Sequence, residues 1–387
     1  MSHYPHTRAL SLDLPLINSS IVPGLLLSLI LYLIIISTRS YLHSLPSSIV
    51  NNHHPITPSC EPGEFNTDSQ LPWSLWRHQS HLIPLYSTHD LQTHPHTPIE
   101  HVIVLQHGNL RHANVDYCTV YNQILELSPE RYLIIAPQFL IYGDQIYSNQ
   151  QWKSSVSDSI PHEIPIFTGR GWKDGSYNRN HLKSGRNISS YGIFRAILTH
   201  ITNKTAFPNV KRITLFGFSA GAQFLQRFAL LENNDFSKND VSVQYLISNP
   251  SSFVYFNALR PTHDGTGFGI PNSSWLRNEW EINQSNNRSW ISNWNQNCDH
   301  YNHWRFGLEN FPGYVEEIFS KHEMSQFIEN YGNENITYIM GTGDDCNCKL
   351  NPLKTHCFNE FGTCFDNDIA TYCQGIANYF VISEFNN

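Results

Sequence analysis

Three features of the sequence around Ser219 indicate a reactive serine. Ser219 is the centre of a Gly-x-Ser-x-Gly motif that runs from Gly217 to Gly221. A short apolar run over 213–216 precedes the motif, and apolar residues follow it at the i, i+3, i+4, i+7 spacing of a helix. A serine on a strained turn between a strand and a helix projects its hydroxyl above the sheet and needs small residues two positions away on each side. The pattern favours such a nucleophile elbow over an ordinary Gly/Ser turn.

An anion that forms on a substrate at Ser219 needs N–H donors nearby. Ala220 opens the predicted helix, so its backbone N–H is one candidate oxyanion-hole donor. The second candidate follows the predicted strand 101–106, which continues directly into a His-Gly-Asn sequence. We expect the donor there to be the backbone N–H of Asn109, with that of Leu110 as the alternative.

Acyl transfer by a serine also needs a base and an acid that orients the base, and in this motif's usual setting the order along the chain is Ser, acid, His. Asp344 fits the acid because it follows the predicted strand 336–340, and Asp345 is the alternative. An Asp pair at that place is also consistent with a turn cap or a cation site. The only His after Asp344 is His356, which lies in a Cys-rich stretch with no strand before it. The catalytic residues predicted are therefore Ser219, Asp344 and His356, and this chemistry requires neither a metal nor an organic cofactor.

Apolar, β-prone segments alternate with helical patterns along most of the chain, which predicts an α/β protein with a mainly parallel central sheet. A parallel sheet binds its ligands at the carboxyl ends of the strands, and Asn109, Ser219 and Asp344 all follow strands. Between about 253 and 331 lies a Trp-rich insert, which we interpret as a lid whose Trp side chains mostly pack. The predicted strands are 81–86, 101–106, 131–136, 213–216, 241–248 and 336–340, and the predicted helices are 115–127, one capped by Ser189 and Ser190, and the one after Ser219.

The N-terminal part of the chain predicts a membrane anchor. No charged residue occurs between Asp13 and Arg39, and the centre of this segment is almost wholly apolar. A helix over 21–41 is long enough to cross a bilayer, and no small-x-small cleavage site of a signal peptide stands out. The predicted organisation is a short tail at 1–20, a transmembrane signal anchor at 21–41, a Ser/Pro-rich stalk at 42–70 and a folded domain at 71–387.

Charge and cysteine content bear on partners and compartment. The 387 residues carry a net charge of −8 with no basic stripe, which argues against nucleic acid as a partner. All eight cysteines follow the apolar segment, as do six Asn-x-Ser/Thr sequons. Both favour an oxidising, glycosylating environment, so we expect a disulfide-bonded glycoprotein with a lumenal or extracellular domain. The sequons are at Asn187, Asn203, Asn272, Asn283, Asn287 and Asn335.

From about Val102 to Ala377 the chain resembles a largely uncharacterised group of secreted α/β-hydrolases. The resemblance rests on blocks in the same order, among them HGNLRHAN at 107–114, IIAPQFL at 134–140 and GFSAGAQFLQRFA at 217–229. It implies an α/β-hydrolase fold with Ser219 as the nucleophile and a carboxylate at Asp344. Two details differ from the group, namely Phe218 before the serine and His112 in the first block. The group continues through a further helix and strand to a Gly-His that carries the base, whereas this sequence ends at Asn387, as a C-terminally truncated member would.

The sequence therefore predicts a membrane-anchored serine hydrolase, most simply an esterase that acts on small-molecule or acyl-ester substrates through an acyl-enzyme at Ser219. The alternative is a catalytically inactive surface or lumenal binding protein on the same fold. The placement of His356 favours the alternative, and the intact elbow with Asn109 and Asp344 favours the enzyme.

Overall fold

The computed structural model describes residues 8–10, 73–92, 98–124, 129–141, 144, 163–180, 185–231, 236, 240–250, 252–261, 268–270 and 302–339. The strands are β1 (Arg8–Leu10), β2 (Trp73–His78), β3 (His81–Ser87), β4 (His101–Gln106), β5 (Tyr132–Pro137), β6 (Leu140–Ile141), β7 (Ile166–Phe167), β8 (Arg212–Phe218), β9 (Ser242–Ser248), β10 (Arg260–Pro261), β11 (Phe268–Gly269) and β12 (Ile336–Ile339). The helices are α1 (Ala113–Ile124), α2 (Ser190–Thr202), α3 (Ala220–Leu231), α4 (Gly313–Phe319) and α5 (Met324–Asn333), with short 3₁₀ turns at Pro129–Arg131 and Gly171–Lys173.

The fold is built on an eight-stranded sheet with the strand order β1-β12-β9-β8-β4-β5-β3-β2. The strands from β1 to β5 in this order pair in parallel. Only β3 and β2, at the other edge, run antiparallel to their neighbours. The mainly parallel sheet predicted from the sequence is therefore confirmed, and its central strands end at a common edge.

Helices cover both faces of this sheet because its central strands are apolar on both sides. On β4, Val102 and Val104 pack into the larger core with α2 and α3, whereas Ile103 and Leu105 pack into a second core with α1. Helix α3 is buried at every position and not on one face only. A mostly parallel sheet with helices on both faces and the β8–turn–α3 connection at its centre is an α/β-hydrolase-like fold.

Helix α2 begins where its sequence predicts. The Ser189 side chain is the N-cap, and its Oγ accepts hydrogen bonds from the backbone N–H groups of Tyr191 and Gly192. The Ser189 hydroxyl also donates to the backbone oxygen of Gly175 at 2.9 Å. The cap therefore joins the helix to the segment that carries the 3₁₀ turn at Gly171–Lys173.

The predicted Trp-rich lid over 253–331 is corrected by the structure at both of its ends. Phe253 and Val254 are buried in the main core, and so are Phe319 and Phe327 on α4 and α5. Trp304 packs against the same core, and its indole N–H donates to the backbone oxygen of Asp174 at 2.8 Å. These parts belong to the body of the domain because their apolar side chains complete its core. The other four tryptophans, Trp275, Trp280, Trp290 and Trp294, lie outside the described residues.

The N-terminal tail contributes a strand where the sequence predicted only a tail. Strand β1 pairs in parallel with β12, with Arg8 opposite Thr337 and Leu10 opposite Ile339. The predicted anchor at 21–41 and the stalk lie outside the described residues. Within the part of the chain that the structure describes, no helix has the length and apolar character needed to cross a membrane.

Cys118 is the one cysteine among the described residues; it is buried on α1 and disulfide-bonded. The other seven cysteines fall outside them, so the predicted disulfide framework stays a prediction.

Candidate active site

Ser219 lies on a strained turn between β8 and α3. Its φ is +56°, in the left-handed region that non-glycine residues rarely adopt. The backbone N–H of Ser219 donates to the oxygen of Ser248 at 3.0 Å, and its own carbonyl accepts from Gln223 N–H one helical turn later. The turn is therefore tied to the end of β9 on one side and to α3 on the other. Its geometry is that of the predicted nucleophile elbow.

The two glycines of the motif are needed because the turn is packed backbone against backbone. A Cβ on Gly221 would lie 2.1 Å from the carbonyl oxygen of Gln106 and 2.8 Å from that of His107. A Cβ on Gly217 would lie 2.5 Å from the carbonyl carbon and oxygen of Gly221. Helix α3 thus approaches β8 and the end of β4 so closely that no side chain fits.

The strand register places Asn109 at the same sheet edge as Ser219. Gln106, the last residue of β4, is paired with Gly217 of β8. Asn109 lies three residues after Gln106, and Ser219 lies two residues after Gly217. Ala220 is the first residue of α3, and the geometry of a helix leaves its backbone N–H without an intrahelical acceptor. The two predicted oxyanion-hole donors, Ala220 and Asn109, therefore lie at the same sheet edge as Ser219.

Two cationic side chains hold Asn109 from different directions. The Arg111 Nη1 donates to the backbone oxygen of Asn109 at 2.7 Å. The Lys173 ammonium donates to the Asn109 side-chain oxygen at 3.2 Å. Neither contact uses the backbone N–H of Asn109; the Arg111 contact holds its peptide carbonyl, and the Lys173 contact holds its side chain.

Arg111 is itself fixed by a carboxylate. Its Nε and Nη2 donate to both oxygens of Asp144, with the shortest distance 2.6 Å, and the two side chains are 17% and 13% exposed. Asp144 also accepts from the backbone N–H of Ile141 at 2.8 Å. Arg111 has a φ of +57°, and its N–H donates to the oxygen of Gly108 to close the turn. The loop after β4 is therefore held by a bidentate ion pair as well as by its own backbone.

His107 lies under this loop and is fully buried. Its Nε2 accepts a hydrogen bond from the backbone N–H of Phe139 at 3.1 Å, so its Nδ1 carries the proton that reaches the oxygen of Gly108 at 3.0 Å. Burial lowers the pKa of His107 to about 4. A neutral histidine with both nitrogens bonded to the backbone is a structural support of the loop and is not a base for Ser219.

Lys173 is held at the loop by the residues around it. Its neighbour Trp172 has no exposed surface and packs against His107, with ring centroids 4.6 Å apart and the ring planes tilted by 56°. The Tyr191 hydroxyl donates to the backbone oxygen of Lys173 at 3.0 Å. Burial, followed by the nearby arginines, lowers the pKa of Lys173 to about 8.

Asp344 and His356, together with the alternative Asp345, lie outside the described residues, so the structure does not test them as acid and base. The sheet does provide a place for the acid, because β12 lies next to β9 in the sheet and ends at the same edge, with Ile339 paired to Ser248.

Sequence reasoning missed Asp144 and Lys173 because both lie in the polar stretch 143–187, which it read as a loop over the sheet. The one signal was Trp172, an aromatic residue that the polar surroundings do not explain and that is in fact core. In the sequence, nothing marks Arg111 beyond its place in the HGNLRHAN block at 107–114.

Comparisons with known proteins add little to this geometry. No protein-family profile matches the chain, and no curated protein matches it either. Among solved structures, a poly(3-hydroxybutyrate) depolymerase from Bordetella parapertussis is 17% identical over 68% of this chain and 78% of that chain, with a TM-score of 0.30. A thermophilic carboxylesterase from a metagenomic library is 9% identical over 93% of this chain and 98% of that one, with a TM-score of 0.30. An esterase from Thermogutta terrifontis is 10% identical over 70% and 82%, with a TM-score of 0.27. Because these sequence identities and TM-scores are low, the fold assignment rests on the strand order of the sheet and on the turn at Ser219.

Proposed function

We propose that the protein is a serine hydrolase that cleaves carboxylic esters through an acyl-enzyme at Ser219. The observation that carries the proposal is the strained conformation of Ser219, which has a φ of +56° between β8 and α3. The positions two residues before and after it, Gly217 and Gly221, are packed too closely for any side chain. Strain of this kind persists where the surrounding structure imposes it, and it clusters at functional sites.

In the proposed reaction, the Ser219 oxygen attacks the acyl carbon while a base takes its proton. The resulting oxyanion accepts hydrogen bonds from the N–H groups of Ala220 and Asn109. The C–O bond to the alcohol then breaks, and the alcohol leaves with the proton from the base. A water molecule then attacks the acyl carbon while the base takes its proton. The bond to the Ser219 oxygen breaks, the base returns the proton to that oxygen, and the carboxylic acid leaves. The ion pair of Arg111 with Asp144 keeps the Asn109 loop in position throughout.

For the base we propose His356, oriented by Asp344. These residues are the Asp at the expected strand end and the only His that follows it. No metal or organic cofactor takes part in these steps.

Covalent labelling of the full-length chain with a fluorophosphonate probe tests the proposal. We expect labelling of the wild type and none of Ser219→Ala, because the probe reacts with activated serines only. His356→Ala and Asp344→Asn are expected to slow labelling by at least about a hundredfold if they act as base and orienting acid. No labelling of a folded wild type would contradict the hydrolase, and labelling unaffected by His356→Ala would exclude that residue as the base.

The position of His356, only twelve residues after Asp344, favours a second candidate, a non-catalytic binding protein on the same fold. A folded wild type that fails to label yet binds ester analogues would support this candidate.

We also propose that the domain lies on the lumenal or extracellular side of a membrane. Asn187, Asn203 and Asn335 are the sequon asparagines among the described residues, and all three are exposed. A shift in electrophoretic mobility on enzymatic removal of N-glycans, reduced in the Asn187→Gln, Asn203→Gln and Asn335→Gln variants, is the expected result. The segment 21–41 is the anchor predicted from the sequence, whereas the pairing of β1 with β12 favours a tail and a domain that share one compartment.

A further inference from the structure

Lys173 brings a positive charge to the proposed oxyanion loop. Its ammonium lies 3.2 Å from the side-chain oxygen of Asn109, and the residue is half-buried. The backbone around it is rigidly placed, because Trp172 is in the core and Tyr191 donates to the Lys173 carbonyl. The ammonium therefore has a defined partner beside the proposed donor of the oxyanion hole.

The charges around this ammonium are mostly of its own sign. Arg305, Arg227 and Arg170 disfavour the protonated form of Lys173, and among the residues that the structure describes Asp174 favours it. The Asp174 carboxylate is oriented by other groups: it accepts from the Ser176 hydroxyl at 2.7 Å and lies 3.9 Å from the Arg305 guanidinium. Within the described part of the chain, the hydrogen-bond acceptor of Lys173 is a neutral amide oxygen, that of the Asn109 side chain. A half-buried ammonium in these surroundings gains from an added anion.

We propose that Lys173 is a specificity-determining residue that makes the site prefer esters carrying a carboxylate. This inference rests on the function proposed for Ser219. The ester carbonyl occupies the oxyanion hole at Asn109 and Ala220. The carboxylate of the substrate binds the Lys173 ammonium, which lies on the side-chain oxygen of Asn109. The neutral amide of Asn109 positions the ammonium without neutralising it.

The test compares pairs of esters of similar size, in each of which one member carries a carboxylate and the other is neutral. On the acyl side the pair is ethyl hydrogen adipate and ethyl hexanoate, and on the alcohol side it is 3-acetoxybenzoate and its methyl ester. We expect kcat/KM to favour the anionic member of at least one pair, and Lys173→Met to reduce that ratio about tenfold, as for a hydrogen bond between charged groups. Lys173→Arg is expected to retain most of the preference.

Lys211→Met is the matched control, because its side chain is 69% exposed beside Glu100, just before β8 and away from the elbow. The ratio should be unchanged in this variant. The inference is overturned if the kcat/KM ratio favours the neutral esters, or if Lys173→Met leaves the ratio unchanged. In both cases the esters are still hydrolysed, so the proposed hydrolase function stands.

Binding to Ser219→Ala separates the inference from catalysis. We expect this variant to bind ethyl hydrogen adipate more tightly than ethyl hexanoate in ligand-observed NMR, and the added Lys173→Met substitution to remove the difference. If wild type hydrolyses none of the esters but this binding difference is found, the hydrolase fails and the anion preference stands. Equal binding of the two esters overturns the preference.

Discussion

At the scale of single residues, Gly221 is the position where one added methyl group has the clearest consequence. In Gly221→Ala the new Cβ would meet the carbonyl oxygens of Gln106 and His107, which are backbone atoms that cannot rotate away. We expect a loss of about 2–4 kcal/mol in the free energy of unfolding, as for overpacked cores, together with loss of labelling at Ser219. Chemical denaturation and probe labelling measure the two effects.

Gly169→Ala is the control for this substitution. A Cβ there would meet only the side chain of Ile141, at an ordinary 3.9 Å. Its stability and labelling should match the wild type. Equal behaviour of the two variants would mean that the elbow is not packed against β4 as described.

His107 makes the stability of the protein depend on pH. Its pKa is about 4 in the folded state because burial disfavours the charged ring, whereas an unfolded histidine titrates near 6.5. Between these values the unfolded chain binds a proton that the folded one does not, so stability falls as pH decreases from about 6.5 to about 4. The contribution is about 3 kcal/mol over this range. His78, His89 and His101, whose pKa values burial also lowers, act in the same direction.

The variant His107→Gln isolates the contribution of His107 to this pH dependence. We expect the free energy of unfolding, measured by urea denaturation at several pH values, to vary less with pH in this variant than in the wild type. The exposed His112 provides the control, and His112→Gln should leave the slope as in the wild type. A slope unchanged by His107→Gln would show that His107 is not held neutral in the fold.

At the scale of secondary-structure elements, α3 depends on one buried cation. Arg227 is 1% exposed, and it donates to the backbone oxygens of Arg305 and Gln223 and to the Ser252 hydroxyl at 2.8–2.9 Å. We expect Arg227→Met to lower the free energy of unfolding by about 3 kcal/mol, because three buried acceptors lose their donor. Arg212→Met, at the exposed start of β8, should cost less than about 0.5 kcal/mol. Similar losses in both variants would contradict the role given to Arg227.

The elements themselves were predictable to the extent that their residues carry a pattern. Strand β4 was predicted with the bounds that the structure has, because six mostly apolar residues lie between polar ones. Strand β2 was missed because it is an edge strand, in which Trp76 is buried but Leu75 and His78 are half-exposed. The ends of the predicted lid were wrong because aromatic side chains that complete a core look the same in a sequence as those that line a pocket.

At the scale of the whole molecule, the proposed site joins parts of the chain that no local pattern connects. Ser219 and Ala220 were predictable because motif, strand and helix are contiguous. The Arg111–Asp144 ion pair and the contact of Lys173 with Asn109 span 33 and 64 residues. Such contacts follow only from the register of the sheet and from the burial of Trp172. Sequence reasoning therefore identified the candidate nucleophile and the strand ends, and the structure was needed for the charges around them.

The pairing of β1 with β12 bears on the compartment of the N-terminal tail. Strand β1 pairs with β12, which begins directly after the exposed sequon residue Asn335. This pairing requires the tail and the domain to share one compartment, whereas a single crossing at 21–41 requires them to be separated. The structure therefore predicts that an acceptor in the tail is glycosylated whenever Asn335 is.

Ala9→Asn creates an Asn-Leu-Ser acceptor within β1, and an Asn18→Gln background removes the Asn-Ser-Ser acceptor that the tail already has. Expressed in a eukaryotic secretory pathway, this variant should gain one glycan over its background, detected as a mobility shift that N-glycan removal abolishes. The Asn335→Gln variant should lose one, which confirms that the domain itself is lumenal. A glycan at Asn335 with none in the tail would mean that 21–41 crosses the membrane and that β1 does not join the sheet in the cell.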